Sequence, residues 1–294
     1  LTIKVLEGLK KNEIKNLIVF CDGPKNTEDT EKIFEVQRLI KKIDWCHVEL
    51  YCSESNKGLA NSIIEGVSSV LKRFDKIVVL EDDCIPDTGF INFMDACLNK
   101  YKDNARIMSV TGYSLPIKIP DSYEYDVYFS YRAMSWGWGT WKKAWSKVDW
   151  EVSDYKEFAK DKTRQKNFNR GGNDLTRMLK KQMDGEIDSW AVRWAYAHSK
   201  ENALCVCPSN TLISNIGFGS GATHCESEKG YEYYNRSVSD RELHSRDLRL
   251  PNELIINKKI YKRFKRVFRP VLINKLKQFL SPYIKKYIYK NNNS

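Results

Sequence analysis

Apolar and polar positions alternate along the first two-thirds of the chain in two rhythms. Short apolar runs predict strands at Leu17–Asp22, Val48–Cys52, Ile77–Leu80 and Ile107–Val110. Between them the apolar residues recur at helical spacing. A helix is expected over Thr27–Lys42, with Ile33, Val36, Leu39 and Ile40 on its apolar face. Asn56-Lys57-Gly58 opens a second, carrying Leu59, Ile63, Val67, Val70 and Leu71. A third runs from about Thr88 to Tyr101, with Phe90, Phe93, Met94, Cys97 and Leu98. This alternation predicts an α/β fold with a doubly wound, mostly parallel sheet flanked by helices. After Gly112 the rhythm changes. Val127–Tyr131 and Leu204–Cys207 read as strands, Leu175–Met183 and Ser189–Ser199 as helices, and Asp161–Asn173 as a mobile loop. Ser135–Trp150 holds five of the eight tryptophans.

One strand changes character abruptly. The run Ile77–Leu80 ends in Glu81, Asp82 and Asp83. In open α/β sheets ligands sit beyond the carboxyl ends of strands. Three adjacent acids repel one another unless a cation is present. Hard divalent cations take oxygen ligands and bridge carboxylates to phosphates. The pattern therefore points to a metal-diphosphate site; the bland alternative is a solvated acidic turn before Pro86.

Composition narrows the class. With 294 residues, 41% of them hydrophobic and 30% charged, the chain can bury a sizeable core. No apolar stretch nears the ~20 residues needed to span a bilayer. The start, Leu1-Thr2-Ile3-Lys4, has neither a signal-peptide pattern nor an initiator Met, and the expectation is a fragment. None of the eight cysteines is in C-x-x-C spacing, which disfavours structural zinc and suits a reduced, cytoplasmic setting. The net charge of +11 is unevenly placed: residues 255–294 hold 12 Lys or Arg and no acid, leaving 37 basic and 38 acidic residues in 1–254. A near-neutral body argues against nucleic-acid binding there. The division expected is a 1–254 domain and a 255–294 basic amphipathic tail. Ile260, Tyr261, Phe264, Val267 and Phe268 interleave with its cations, which suits an anionic membrane surface. The alternatives are docking on the protein's own body and binding a partner protein.

Several segments then add up, in order. They are Phe20-Cys21-Asp22-Gly23, Asn56 to Ile63, Leu80-Glu81-Asp82-Asp83, Ser135 to Trp141, Asp188-Ser189-Trp190, and Asn215-Ile216-Gly217 through Thr223-His224-Cys225. Together they resemble GT-A-fold, nucleotide-sugar-dependent glycosyltransferases of bacterial surface-polysaccharide synthesis. The likeness is to inverting family-2-type enzymes, with a Glu-Asp-Asp motif similar to that of N-acetylglucosaminyltransferase I, and covers roughly residues 16–225. The resemblance implies that the first nucleotide-binding strand of that fold is expected to be absent: Val5–Lys10 reads as the end of the helix that should follow it.

The resemblance implies transfer of a sugar from a nucleoside diphosphate, expected to be UDP, to a glycan or lipid-linked acceptor. It implies Mn²⁺ or Mg²⁺ held by Asp83, with His224 completing the metal or phosphate site. Asp188 is the implied general base, Glu186 its rival; Asp188 also stands where a helix cap belongs. Asp22, Asn56, Gly58, Glu81 and Asp82 are expected on the nucleotide side. Trp136 and Trp138 are expected to meet ligand, with Gly137 and Gly139 leaving room for the donor, while Trp141 and Trp145 fit one helical face in the core. The rival readings are a sugar nucleotidyltransferase and a non-catalytic membrane-bound scaffold. The expected location is the cytoplasm, peripheral on the inner face of the membrane.

Overall fold

The computed structural model describes residues 1–218, 232, 234–235 and 247–268. Its order begins with helix α1 (Thr2–Lys11), strand β1 (Asn16–Cys21), α2 (Thr27–Lys41), β2 (His47–Cys52) and α3 (Leu59–Arg73). β3 (Lys76–Val79), β4 (Cys84–Pro86), α4 (Phe90–Tyr101), β5 (Ile107–Thr111), β6 (Val127–Ser130) and β7 (Trp138–Trp141) follow. Four helices come next: α5 (Lys142–Trp145), α6 (Tyr155–Lys160), α7 (Lys162–Phe168) and α8 (Leu175–Met183). Then come α9 (Trp190–Lys200), β8 (Leu204–Pro208), β9 (Ile213–Asn215) and α10 (Lys258–Val267).

The α/β class holds, but the sheet is mixed rather than mostly parallel. The five-stranded sheet runs β3-β7-β5-β8-β6. Only β5 and β8 are parallel neighbours; β7 is antiparallel to β3 and β5, and β6 to β8. The β3–α4–β5 crossover does set β3 and β5 in the same sense, as a long helical connection must. What the pattern missed is β7, the Trp138-Gly139-Thr140-Trp141 stretch, which slots between them. Gly139 permits this because its α-carbon lies over Ile77 O, Met94 and Leu98, where a Cβ would be 2.8–3.1 Å from its neighbours.

The alternation along β7 divides the core. Trp141 faces α4, donating Nε1–H to Leu98 O at 3.1 Å. Trp138 faces the other way and stacks on Trp190 of α9 at 4.9 Å between ring centroids. Trp145, Trp150 and Trp194 complete that cluster. Such rings supply the largest buried areas per residue. β5 and β8 lie between the layers, buried along their whole length.

β1 and β2 form a separate parallel pair, joined through α2. Among the described residues no backbone hydrogen bond links β1 to β3. α3 spans both sheets: it packs on β3, its Gly66 abuts the Phe20 ring, and its Arg73 pairs with Glu49 of β2 at 2.6 Å.

One further expectation changes, and for the start of the tail the alternative of docking on the body is the one seen. Residues 161–173 are not a loop but α7 and a 3₁₀ turn, Asn169–Gly171. Asp161 caps α7 by accepting from Thr163 and Arg164 N–H, and Phe168 is buried. The start of the basic tail docks on the body. Ile260 and Phe264 of α10 are buried, Tyr261 meets Tyr131 edge-on, and Arg132 lies 4.1 Å from the Phe268 ring centre. Residues 269–294 lie outside the described set.

Candidate functional site

The three acids follow β3 directly, where the chain turns toward β4. Glu81 is pushed up to about 8, by burial first and then by Asp83 and Asp82, while the Trp190 indole opposes the shift. Asp82 is raised too, by burial and then by Asp83. Nothing positive neutralises the cluster among the causes of either shift beyond the weak pull of the chain's amino terminus on Asp82. Asp83 is anchored from both sides. Its backbone oxygen accepts from Ile216 N at 2.8 Å, and Cys84 Sγ donates to its Oδ1 at 3.3 Å. The β4–β9 ladder brings the chain after Asn215 across it. A Cβ at Gly217 would sit 2.1 Å from Asp83 Oδ2, so only glycine lets this backbone approach the carboxylate.

A second constellation lies at the amino end of α3. Asp22, at the end of β1, is its hub. Its carboxylate accepts from Gly23 N and Lys57 N at 2.9 Å, Gly58 N at 3.1 Å and Asn56 Nδ2 at 3.2 Å. Asn56 also donates to Gly23 O at 2.9 Å. Asp22 and Asn56 therefore build the turn, and the ligand-facing role expected of Asp22 has little carboxylate left to serve it. Gly58, the residue before α3, has φ +79°, a conformation that favours glycine.

Asp188 comes to this same place from the far side of the chain. Its Oδ2 accepts from Ala60 N at 3.3 Å, and a Cβ at Gly58 would touch the same oxygen. It does not cap its own helix: Ser189 does, accepting from Val192 N at 3.3 Å. Arg193, largely buried, approaches Asp188 Oδ1 at 3.9 Å and is fixed by the Trp150 carbonyl at 3.1 Å. Asp188 remains more than half exposed, so a free oxygen face is available to solvent or ligand. Glu186 is turned elsewhere, paired with Lys181 at 3.2 Å.

The tryptophan-rich segment divides differently from expectation. Trp138 is fully buried in the aromatic cluster and cannot meet a ligand. Gly137 and Gly139 give their space to packing: a Cβ at Gly137 would strike Ile213 at 2.5 Å, and Gly139 sits over Ile77. Trp136 stays partly exposed, edge-on to Tyr113 at 4.4 Å and near Phe218 and Tyr234. Trp141 and Trp145 are core, as expected, although Trp141 is in a strand and not on a shared helical face. His224 and Gly219 to Gly221 lie outside the described residues.

Trp190 is the connection that sequence reading did not assign. Its indole bonds Glu81, its ring stacks on Trp138, and it begins the helix two residues after Asp188. Its place in Asp188-Ser189-Trp190 was the available signal.

Among the described residues no three His, Cys, Asp or Glu side chains converge as a closed metal cage. Mg²⁺-like ions need less, since they keep waters and use one or two carboxylates together with substrate phosphates. The Asp83 carboxylate, seated against Gly217, fits that kind of partial site. Neither protein-family models nor curated proteins match this chain. What stands on the structure alone is a mixed α/β protein with an acid cluster and a separate exposed carboxylate joined through Trp190.

Proposed function

We propose that this protein is a metal-dependent glycosyltransferase, taking a sugar from a nucleoside diphosphate, UDP for preference, and passing it with inversion to a glycan or lipid-linked acceptor. The observation that carries the reading is the uncompensated acid cluster after β3, with Glu81 held near 8 and Asp83 cradled by a glycine backbone. In this proposal the sheet is a GT-A-like variant. The parallel β1–α2–β2 unit and the ligand-side placement of the acids at the end of β3 support it.

Asp83 would hold Mn²⁺ or Mg²⁺, with His224 as a further candidate; when bound, the ion supplies Lewis-acid neutralisation of the departing diphosphate. Asp82 stands beside it to orient the ribose or bound waters. The turn built by Asp22 and Asn56 presents Gly58 and the positive amino end of α3, where Asp22 and Asp188 take the Lys57, Gly58 and Ala60 N–H groups. Asp188 takes the proton from the acceptor hydroxyl. Arg193 lies beneath it, 3.9 Å from Oδ1.

The membrane part of the reading is peripheral contact on the cytoplasmic face through the basic residues from Lys258 onward. No helix among the described residues is long and apolar enough to cross a membrane.

The test is nucleotide binding and turnover on a panel of nucleotide-sugars with and without Mn²⁺. Asp83→Asn is expected to abolish transfer and to weaken UDP binding only when the metal is present. Equal UDP affinity with and without metal in the intact protein refutes the reading.

A further inference from the structure

A concave site of different chemistry lies at the other end of α9 from Asp188. Tyr131, Asn167, Arg170, His198, Lys200 and Asn202 line a cavity of about 410 Å³. Its wall contains two cations and two side-chain amides, and no acid among the described residues. His198 is not a free group there. It is fully buried, with Nε2 on Ser109 Oγ at 2.8 Å and Nδ1 on Trp194 O at 3.0 Å.

Arg170 is held in an open posture. Its Cζ lies 3.5 Å from the centre of the Tyr131 ring. Stacking of this kind spends the π-face of the guanidinium and leaves its in-plane N–H fork available. Among the described residues that fork makes one hydrogen bond, Nη1 to Asn202 Oδ1 at 3.2 Å. The backbone behind it is fixed by α10: Tyr261 donates its hydroxyl to Arg170 O at 3.2 Å, and Lys265 bonds Asn169 O. Lys200 supplies the second cation, steadied by Asp154 at 3.1 Å. That carboxylate is shared with Arg164 and Tyr196, so the surroundings stay net positive.

A preorganised guanidinium fork beside an ammonium and two amides suits a tetrahedral oxyanion. The volume exceeds what a bare carboxylate fills. We propose that this cavity binds a phosphate monoester, gripped by Arg170 and Lys200 with Asn167 and Asn202 as neutral donors. The phosphate has two sources, a soluble phosphorylated metabolite or a lipid headgroup. The site is separate from the Glu81–Asp83 cluster and does not depend on the transferase reading.

The experiment uses the full chain in EDTA, which removes any metal-bridged phosphate binding at the β3 acids. Glycerol 3-phosphate is titrated by calorimetry, and flotation is measured with phosphatidylcholine vesicles with and without phosphatidic acid. Binding is expected in the intact protein. It should weaken by at least about tenfold in Arg170→Gln and in Lys200→Gln, since each loses charge-assisted hydrogen bonds. It should survive in Asp83→Asn. If Arg170→Gln melts early, Lys200→Gln decides, because that side chain is near the surface. Arg170-dependent flotation assigns the lipid source; Arg170-dependent glycerol phosphate binding without it assigns the soluble one. No binding of either probe, or binding in both variants as tight as in the parent, overturns the proposal.

Discussion

Single residues decide which acid can act. Asp188 and Glu186 are two positions apart, yet one reaches the amino end of α3 and the other pairs with Lys181 at the surface. Asp188→Asn is therefore expected to lower turnover by at least ~10² while leaving nucleotide affinity intact. Glu186→Gln should behave like the parent, and steady-state kinetics on the two variants compares them directly. The reverse ranking would transfer the base role to Glu186.

His198 makes a residue-scale prediction about stability. Burial pulls its imidazole down to about 4, while the Trp194 carbonyl opposes the shift. The folded state therefore keeps it neutral in a range where the unfolded chain protonates. Between about pH 6.5 and 4 the unfolded state binds more protons, so stability is complete above the upper value and falls as pH drops through the window. At ~1.4 kcal/mol per pH unit the loss is about 3 kcal/mol. Denaturant melts of the parent against His198→Gln over this range should show a steeper loss toward acid in the parent than in the variant.

At the scale of elements, α10 is the clearest case. A charge count assigns residues 255–294 to a basic amphipathic tail, but amphipathicity says only that a helix has an apolar face, not what that face meets. Ile260 and Phe264 meet the body, and Lys265 ties the helix to the 3₁₀ turn through Asn169 and to Asn173 at 2.6 Å. Phe264→Ala should therefore cost about 3–5 kcal/mol, the usual range for emptying a buried phenylalanine site. A free tail would give no change in the denaturation midpoint. The same logic explains α7. Its apolar residues are too few to announce a helix, yet the Asp161 cap and buried Phe168 hold one.

Across the whole molecule, charge and core are segregated. The body through residue 254 is near neutral, and the cations collect beyond it. In α10 the apolar face is already buried against the body, leaving Lys258, Lys259, Lys262 and Arg266 exposed. If the proposed contact with an anionic surface is made by this helix, it is expected to be electrostatic and not insertional. Flotation with anionic vesicles should fall steeply between 0.1 M and 1 M salt, as the Debye length shrinks from ~10 Å to ~3 Å. Binding that persists at 1 M salt would require apolar insertion from elsewhere in the chain.

The local patterns were enough to establish the elements that sequence rhythm encodes: β1, β2, β3 and β5 as apolar runs, α2, α3 and α4 between them, and the acids that end the third strand. Those signals are local because a strand or helix face repeats every few residues. Tertiary structure decided the rest. It placed β7 between β3 and β5, so the sheet became mixed, because strand order depends on long-range pairing that no local period records. It buried Trp138, the first residue of β7, and left Trp136 partly exposed, because Gly137 at φ +54° turns the chain between two tryptophans that look alike in sequence. It brought Asp188 to Ala60 and Gly217 to Asp83, contacts across 128 and 134 positions. Residues so distant share no sequence pattern; only the packing of α9 against α3 and of β9 against β4 makes them neighbours.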